Sequence, residues 1–163
     1  MHLPETDYQI LKLTDRFYQA YPDPPYHEIL QKRQRAYNCL LFQSHYHYFI
    51  CIPYRSEIHH SYAYHFKGTV RSAKHHSGLD YTKIVITEDL DYIEKENAII
   101  DKDEYKETIK NLKIIKREAL QYVEDYVAHQ KSEKRLHPRE FKRRYQFSTL
   151  PYFHDELGIE HII

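Results

Sequence analysis

The chain has 163 residues, with 24 acidic and 24 basic side chains and 41% hydrophobic residues. This length and composition suit one folded domain over residues 1–163 and exclude a disordered chain, because enough apolar residues are present to build a core. No run approaches the roughly 20 apolar residues of a membrane span. The N-terminus also lacks the basic and apolar segments of a secretory signal. We therefore expect a cytoplasmic protein with no membrane partner.

Charge is distributed unevenly along the chain, although the formal net charge is zero. Residues 54–83 carry five Lys/Arg against two Asp/Glu and add five histidines, residues 84–104 carry two against eight, and residues 105–144 carry twelve against six. Two basic regions separated by an acidic one favour a focused site for an anion. The 17 tyrosines supply phenol rings that stack on nucleic-acid bases or pack in a core.

The N-terminal segment predicts a strand followed by a short helix. Partial alternation of apolar residues favours a strand over Tyr8–Leu13. Thr14 is a suitable N-cap for a helix of about two turns that continues to Ala20. Pro22–Tyr26 is rich in proline, which ends the helix and predicts an extended loop.

The next two apolar runs predict a β-hairpin. They cover residues 35–43 and 46–53 and are joined around Ser44–His45, a length typical of a tight turn. Both faces of the second run are apolar, which indicates a strand in the middle of a sheet that is covered on both sides. Pro53 lacks a backbone N–H group, so we expect the second strand to end there.

The middle of the chain predicts a loop and further strands. Residues 54–78 are rich in histidine, serine and basic residues, which favours a long polar loop of functional importance. Asp80–Thr87 predicts another central strand. The acidic stretch that follows contains the apolar segments 92–93 and 98–100, which form either a short strand pair or an edge.

Helices are predicted in the last third of the chain. Asp101 and Glu104 have the spacing of a capping box, and the apolar periodicity that follows predicts a long amphipathic helix ending near His129. Pro138 is placed to open a second helix that runs through Tyr145. Strands in the first two thirds and helices in the last third predict an α+β domain with an antiparallel sheet and helices packed against it.

The histidines near the predicted sheet edge raise the alternative of a metal site. Adjacent histidines at 59–60 and 75–76 would face opposite ways on a strand, and no carboxylate stands at a recognised ligand spacing. We therefore expect no metal and no cofactor. The sequence also has no glycine-flanked serine of a hydrolase and no glycine-rich phosphate loop.

Residues 52–60 carry the groups that metal-free RNA cleavage requires. Such a site needs a base for the ribose 2′-hydroxyl, an acid for the leaving 5′-oxygen and cations for the phosphate. Histidine titrates near neutrality, and arginine binds phosphate through two donors. Arg55, Ser56 and His59 follow the predicted central strand, and Lys83 lies in the neighbouring predicted strand. The same residue types are common on inert surfaces, so a solvated surface is the alternative for each of them.

Four short motifs occur in the order expected of one toxin family. They are RAYNCLL (35–41), IPYRSEIHH (52–60), SGLDYTK (77–83) and YQFSTL (145–150). Together they resemble the ToxN/TenpN-type toxins of type III toxin–antitoxin systems, and the TenpN branch is the most similar. The resemblance covers most of the chain in order and length.

This resemblance implies an endoribonuclease with a highly twisted antiparallel sheet flanked by helices, related in fold to MazF/Kid toxins. Members of the family cleave RNA without a metal, and a small repeated antitoxin RNA, which the toxin itself processes, inhibits them. The implied partners are this antitoxin RNA and cellular or phage RNA substrates, with no DNA partner expected. The implied roles are phage defence by abortive infection or maintenance of a plasmid or locus.

The resemblance also assigns individual residues. Tyr26 corresponds to the tyrosine of the proline-rich loop, and Arg35 to the basic residue before the first central strand, where the ToxN branch has lysine. Arg55 and Ser56 correspond to a threonine and a serine of the ToxN branch. In that branch a lysine follows them nearby. The role of Arg55 is therefore open between that of the threonine and that of the lysine.

We thus expect a sequence-selective, metal-independent endoribonuclease that forms a 2′,3′-cyclic phosphate and a 5′-hydroxyl. In this hypothesis His59 or Tyr26 moves protons, while Arg55, Ser56 and Lys83 bind the scissile phosphate. The predicted RNA-binding residues are Arg35, which also contacts that phosphate, and Lys32, Arg33, His60, Lys74 and Thr82. One alternative is a non-catalytic RNA-binding module on the same fold, and another is a defence protein that acts by protein contact alone.

Overall fold

A seven-stranded antiparallel sheet organises the computed structural model, which describes residues 8–41 and 48–159. Its strand order is β4-β5-β3-β2-β1-β7, and β6 also pairs with β3. The strands are β1 (Tyr8–Leu13), β2 (Ala36–Leu41), β3 (Phe49–Arg55), β4 (Ala63–His65), β5 (Gly78–Asp80), β6 (Val85–Thr87) and β7 (Ile93–Asn97). The helices are α1 (Asp15–Ala20), α2 (Val70–His75), α3 (Lys102–Lys110), α4 (Leu112–Gln130) and α5 (Pro138–Tyr145). The predicted α+β class, with helices flanking an antiparallel sheet, is confirmed. A strong twist and a relationship to MazF/Kid toxins remain predictions.

The first strand and helix have the predicted bounds. The side chain of Thr14 caps α1 by accepting a hydrogen bond from the N–H of Phe17 at 3.3 Å. The proline-rich segment after α1 forms turns rather than a strand or helix. Local sequence is sufficient to predict where α1 begins and ends, because a cap and a run of prolines act on their immediate neighbours.

The antiparallel pairing of β2 with β3 is confirmed, while the predicted turn at Ser44–His45 lies outside the described residues. The predicted end of β3 at Pro53 is wrong, because the strand continues to Arg55. Along one side of β3 the partner changes from β6, which pairs up to Cys51, to β5, which pairs from Tyr54. Pro53 falls where this ladder is interrupted, so the proline leaves the strand intact.

The predicted long loop at 54–78 is wrong in part, because it contains β4 and α2. Thr69 and Ser72 form a capping box that starts α2, with each side chain bonded to the other residue's backbone N–H. The end of this segment is tightly packed against β4. A Cβ atom at Gly78 would lie 2.1 Å from the carbonyl oxygen of Tyr64, so only glycine fits there.

The predicted strand over Asp80–Thr87 is also wrong, because a 3₁₀ turn at Tyr81–Lys83 divides it into β5 and β6. The carboxylate of Asp80 causes this break by accepting a hydrogen bond from the N–H of Thr82 at 2.9 Å. Such a contact between an aspartate and the backbone two residues later favours a turn over a continuous strand.

The acidic stretch supplies the edge strand β7, which pairs with β1. The sequence left a short strand pair and an edge strand as alternatives for this stretch, and the edge strand is the correct one. Its side chains beyond Ile93 are exposed. Charged residues on an edge strand oppose pairing with other chains.

The predicted long helix is divided into α3 and α4 at Asn111. The predicted capping box is absent, because Asp101 makes no side-chain cap hydrogen bond and Glu104 bonds to Arg71 instead. α4 ends at Gln130, close to the predicted end, and α5 begins at Pro138 as expected. Within the described ranges, no helix is both long and apolar enough to cross a bilayer.

The hydrophobic core lies between the sheet and these helices. In α4 the buried residues Ile115, Ala119 and Val123 recur every four positions and form one apolar stripe. β3 lies at the centre of the sheet, and its first six residues are all buried. The exposed end of β3 is therefore a rigid point from which to present functional side chains.

Candidate functional site

Two arginines lie opposite each other at the end of the β2–β3 pair. The β2–β3 register pairs Tyr37 with Pro53, and continuing it by two residues brings Arg35, directly before β2, opposite Arg55 at the end of β3. Nη1 of Arg35 donates a hydrogen bond to the carbonyl oxygen of Tyr54 at 3.0 Å, and its buried Nε has no partner among the described residues. Burial lowers the pKa of Arg35, and the charge of Arg55 lowers it further. The two cations are thus close enough to repel each other.

Arg55 is held by a buried carboxylate. Nη1 of Arg55 donates to Oδ2 of Asp80 at 2.8 Å, and the Asp80 side chain is 0% exposed. The other oxygen, Oδ1, accepts hydrogen bonds from the N–H and the hydroxyl of Thr82 at 2.9 and 2.7 Å. Burial raises the pKa of Asp80, but His60, Thr82 and Arg55 together lower it to about 2. Asp80 is therefore ionised at neutral pH and fixes Arg55, whose side chain remains 33% exposed.

A third arginine, Arg71 of α2, extends the basic cluster. Its Nε and Nη2 each donate to Glu104 at 2.9 Å, and the Glu104 side chain is buried. A cavity of about 190 Å³ is lined by the cations Lys32, Arg35 and Arg71 and by the carboxylates Asp101 and Glu104. Within the described ranges Arg35 is the arginine of this cluster that has no carboxylate within ion-pair distance. It is consequently the one most in need of an external anion.

Ser56 directly follows β3 and is half-buried. Its hydroxyl makes no hydrogen bond to any other described residue. Two backbone hydrogen bonds hold the chain after it, from the N–H of Glu57 to His75 O at 2.5 Å and from the N–H of Ile58 to His76 O at 3.0 Å. Ser56 therefore lies on a fixed segment with a donor available for a ligand.

His59 lies on the exposed surface of the same segment. Its Nε2 is 3.4 Å from Oε2 of Glu57, and its ring contacts His76 edge-on with 5.0 Å between centroids. Glu57 Oε1 is also 3.0 Å from Nδ1 of His75. Within the described part of the chain, no group of three or more His, Cys, Asp or Glu side chains is arranged to hold a metal ion.

His60 contacts the Asp80 network through one ring nitrogen, and its side chain is 33% exposed. The N–H of Tyr62 donates to its Nδ1 at 3.1 Å, so the proton of the neutral ring lies on Nε2. Nε2 is 3.3 Å from Oδ1 of Asp80 but is not aligned for a hydrogen bond. Both ring nitrogens face protein atoms, and His60 thus supports Asp80.

Lys83 and Tyr26 occupy other environments. Nζ of the buried Lys83 donates to the carboxylate of Glu28 and, at 2.7 Å, to the carbonyl oxygen of Phe147. The Tyr26 ring packs edge-on against Tyr21 and Tyr152. Among the described residues, neither side chain contacts the two arginines at the end of the β2–β3 pair.

The remaining predicted RNA-binding residues are dispersed. Arg33 pairs with Asp15 at 2.6 Å and lies over the ring of Tyr18. Lys32 and Lys74 are exposed, whereas Thr82 is buried and bonded to Asp80. The structure therefore groups Arg35, Arg55 and Ser56, which we call the rim, with Lys32 and Thr82 beside it.

Sequence reasoning missed three contributors to the site. Asp80 lies in the predicted continuous strand, Arg71 lies in the predicted loop, and the sequence assigns Glu57 no role in the site. Asp80 and Thr82 have the spacing of an aspartate-stabilised turn, and this local pattern identifies Asp80. No local pattern identifies Arg71, because its partner Glu104 is 33 residues away.

Comparisons with protein-family models, with curated proteins and with solved structures each found no match. Functional inference for this chain therefore depends on the geometry of the rim and on the motifs at 35–41, 52–60, 77–83 and 145–150.

Proposed function

We propose that this protein is a metal-independent endoribonuclease toxin of the ToxN/TenpN type that binds the scissile phosphate of RNA at the rim. The observation that carries this proposal is the closeness of Arg35 and Arg55 across the β2–β3 register. Ser56 follows Arg55 directly, and its hydroxyl has no partner among the described residues. Because Arg35 has no carboxylate partner in the described part of the chain, a bound phosphate would neutralise it. Arginine donors also match the geometry of a phosphate.

The rim supplies electrostatic stabilisation without rearrangement. Asp80 holds one end of the Arg55 guanidinium, so this arginine is oriented before RNA binds. Arg35, Arg55 and Ser56 would then donate to the phosphate oxygens, on which negative charge increases in the transition state. Fixed donors of this kind contribute to catalysis because they need no reorientation during the reaction.

Proton transfer is assigned to the histidines of the adjacent segment. Glu57 faces Nε2 of His59, which leaves Nδ1 to remove the proton of the 2′-hydroxyl. The 2′-oxygen then bonds to phosphorus, the bond from phosphorus to the 5′-oxygen breaks, and a 2′,3′-cyclic phosphate forms. His76, whose ring contacts His59, would give a proton to the leaving 5′-oxygen. Tyr26 and Lys83 would act structurally, because both are engaged elsewhere.

An antitoxin RNA that covers the rim would block this chemistry by competing with substrate. The toxin would process this antitoxin RNA whenever a phosphate of the antitoxin RNA enters the rim. Phage defence or maintenance of a locus follows as the role of such a pair. The alternative, a non-catalytic RNA-binding module, uses the same rim and leaves the histidines without a function.

The decisive experiment is to incubate purified protein with total RNA in the presence of EDTA and to map the RNA ends. We expect cleavage that leaves 2′,3′-cyclic phosphates. Arg55→Ala and His59→Ala should each slow it by about 100-fold or more. His27→Ala is the control, because His27 is an exposed histidine paired with Asp23, and neither residue contacts Arg35, Arg55 or Ser56.

Three results would contradict this proposal in different ways. Loss of cleavage in EDTA would exclude the metal-independent mechanism. RNA binding without cleavage would favour the binding module. Normal rates for both the Arg55 and His59 variants would place the active site elsewhere.

A further inference from the structure

A second surface feature, which we call the cleft, lies between α5 and the loop before β4. It has a volume of about 320 Å³. Its charged lining is entirely basic among the described residues, and two aromatic rings contribute. The lining includes His60, Tyr62, Arg143, Arg144, Gln146 and Phe147. An aromatic and basic cleft of this size suits a nucleobase with its phosphate.

Phe147 is the most unusual residue of the cleft. Phe147 is 62% exposed, while Tyr145 two residues before it and Ser148 directly after it are buried. Its backbone is fixed, because its carbonyl oxygen accepts a hydrogen bond from Lys83 and the next residues are bonded to the 3₁₀ turn at Thr82. An exposed ring on a rigid backbone is a suitable surface for stacking a base, since little conformational freedom is lost on binding.

The two arginines of the cleft have different roles. Arg144 is held by Glu140 at 2.7 Å and by Asp125 at 3.0 Å, and its side chain is largely buried. Arg143 has Glu140 alone, at 2.7 Å, and its side chain is 64% exposed. Arg143 is therefore the cation that can turn towards a phosphate, while Arg144 stabilises the wall.

The cleft and the rim meet at Asp80. Oδ2 of Asp80 accepts the hydrogen bond from Arg55 of the rim, and Oδ1 lies 3.3 Å from Nε2 of His60 in the cleft wall. The ring of His60 in turn stacks on Tyr62, with 6.0 Å between centroids. The rim and the cleft therefore share contacts with one buried carboxylate, which makes them neighbouring sites for a single strand of RNA.

We infer that the cleft binds one base of single-stranded RNA next to the phosphate held at the rim and selects which sequence is cut. The base stacks on Phe147, the amide of Gln146 reads its edge, and Arg143 binds the neighbouring phosphate. Stacking alone accepts any base, so the Gln146 amide supplies the selection. This inference rests on the proposed function for its connection to cleavage, but base binding in the cleft is measurable without cleavage.

The test uses short oligoribonucleotides that carry 2-aminopurine at successive positions and 2′-O-methyl groups, which prevent 2′-hydroxyl attack. Wild-type protein should quench the fluorescence strongly at one position, where the base stacks. Phe147→Ala should abolish that quenching and weaken binding by about tenfold or more, while Phe147→Tyr should retain both. Tyr105→Ala is the matched control, because Tyr105 is an exposed aromatic residue on α3 outside the cleft.

A second measurement connects the cleft to selectivity. Gln146→Ala should broaden the set of sequences cut in total RNA while leaving cyclic phosphate ends. Unchanged quenching in Phe147→Ala would overturn the inference even if the protein cleaves RNA normally. Conversely, quenching that depends on Phe147 in a protein that cuts no RNA would support the cleft and refute the proposed nuclease.

Discussion

At the scale of single residues, Asp80 is the centre of the candidate site. Its carboxylate is fully buried, yet it receives hydrogen bonds from Arg55 and from two groups of Thr82. Burying a charge is unfavourable unless it is paired and hydrogen-bonded. Asp80 meets both conditions, so it stabilises the fold and at the same time connects the rim to the cleft.

Asp80→Asn should lower the free energy of unfolding by about 2 kcal/mol at neutral pH, as expected from a carboxyl pKa lowered from 3.8 to about 2. A lowered pKa gives stability that is complete above the pKa of the unfolded chain. It is lost as the pH falls through the folded value. The difference between wild type and variant should thus be constant from pH 7 to 5 and shrink between about pH 4 and 2. Urea unfolding at each pH measures it.

The control for this prediction is Asp91→Asn. Asp91 pairs with Arg16 at 2.8 Å, but both side chains are about two-thirds exposed. Exposed ion pairs contribute little, so the change should stay within about 0.5 kcal/mol. Equal effects of the two substitutions would show that burial of Asp80 is not what makes its ion pair important.

Lys83 is predicted from the sequence to bind the scissile phosphate, but in the structure it is bonded to Glu28 and Phe147. Lys83→Met should lower the free energy of unfolding by about 2 kcal/mol, because Glu28 and the Phe147 carbonyl lose their donor. The single-turnover cleavage rate at saturating RNA should fall by less than about tenfold, since Lys83 contacts none of Arg35, Arg55 and Ser56 and, apart from Glu28, acts only on the Phe147 backbone. Chemical unfolding and single-turnover cleavage provide the two readouts. A stable variant with no cleavage would restore Lys83 to the catalytic role predicted from the sequence.

At the scale of elements, the packing of β5 between β3 and β4 requires a glycine. Gly78→Ala should destabilise the protein by about 3 kcal/mol, because its Cβ would overlap the Tyr64 backbone. Gly68→Ala is the control, since its Cβ would meet only a side-chain oxygen of Glu107 at 3.7 Å. Thermal unfolding of the two variants compares them directly. Similar melting temperatures would show that β4 can move away from β5 without cost.

The connection between α2 and α3 explains how the predicted loop becomes ordered. Glu107 of α3 accepts hydrogen bonds from the N–H groups of Lys67 and Gly68 at 2.9 and 3.0 Å. Arg71 of α2 binds Glu104 on the preceding turn of α3. These contacts place a basic helix beside the rim, and the acidic residues that hold it come from a distant part of the chain.

At the scale of the whole molecule, a protein with no net charge concentrates cations where RNA is expected to bind. Binding of single-stranded RNA should weaken linearly with the logarithm of salt concentration, and Arg143→Ala should reduce that slope by about 0.7. Titrations with uncleavable RNA at several salt concentrations measure the slope. Arg16→Ala, which removes an arginine paired with Asp91, should leave it unchanged. An equal change for both variants would mean that binding responds to total charge and not to the cleft.

The sequence by itself determined the elements whose causes are local. Thr14 caps α1, the prolines end it, and Pro138 starts α5, because each acts on backbone atoms within a few residues. Apolar patterning likewise determined the buried centre of β3 and the α+β class. The predicted position of Arg55 and Ser56 just after a central strand followed from that pattern, although the strand itself continues to Arg55.

Only the tertiary structure decided which charged residues remain available for a ligand. Lys83 and Arg35 are both cations near strand ends, yet Glu28 engages Lys83 while Arg35 has no carboxylate partner among the described residues. The bond of Asp80 to Arg55 spans 25 residues and that of Arg71 to Glu104 spans 33. No local periodicity records such pairs, because they form when strands and helices pack. The rim and the cleft are consequently products of packing, whereas the strand that presents the rim was already evident in its apolar residues.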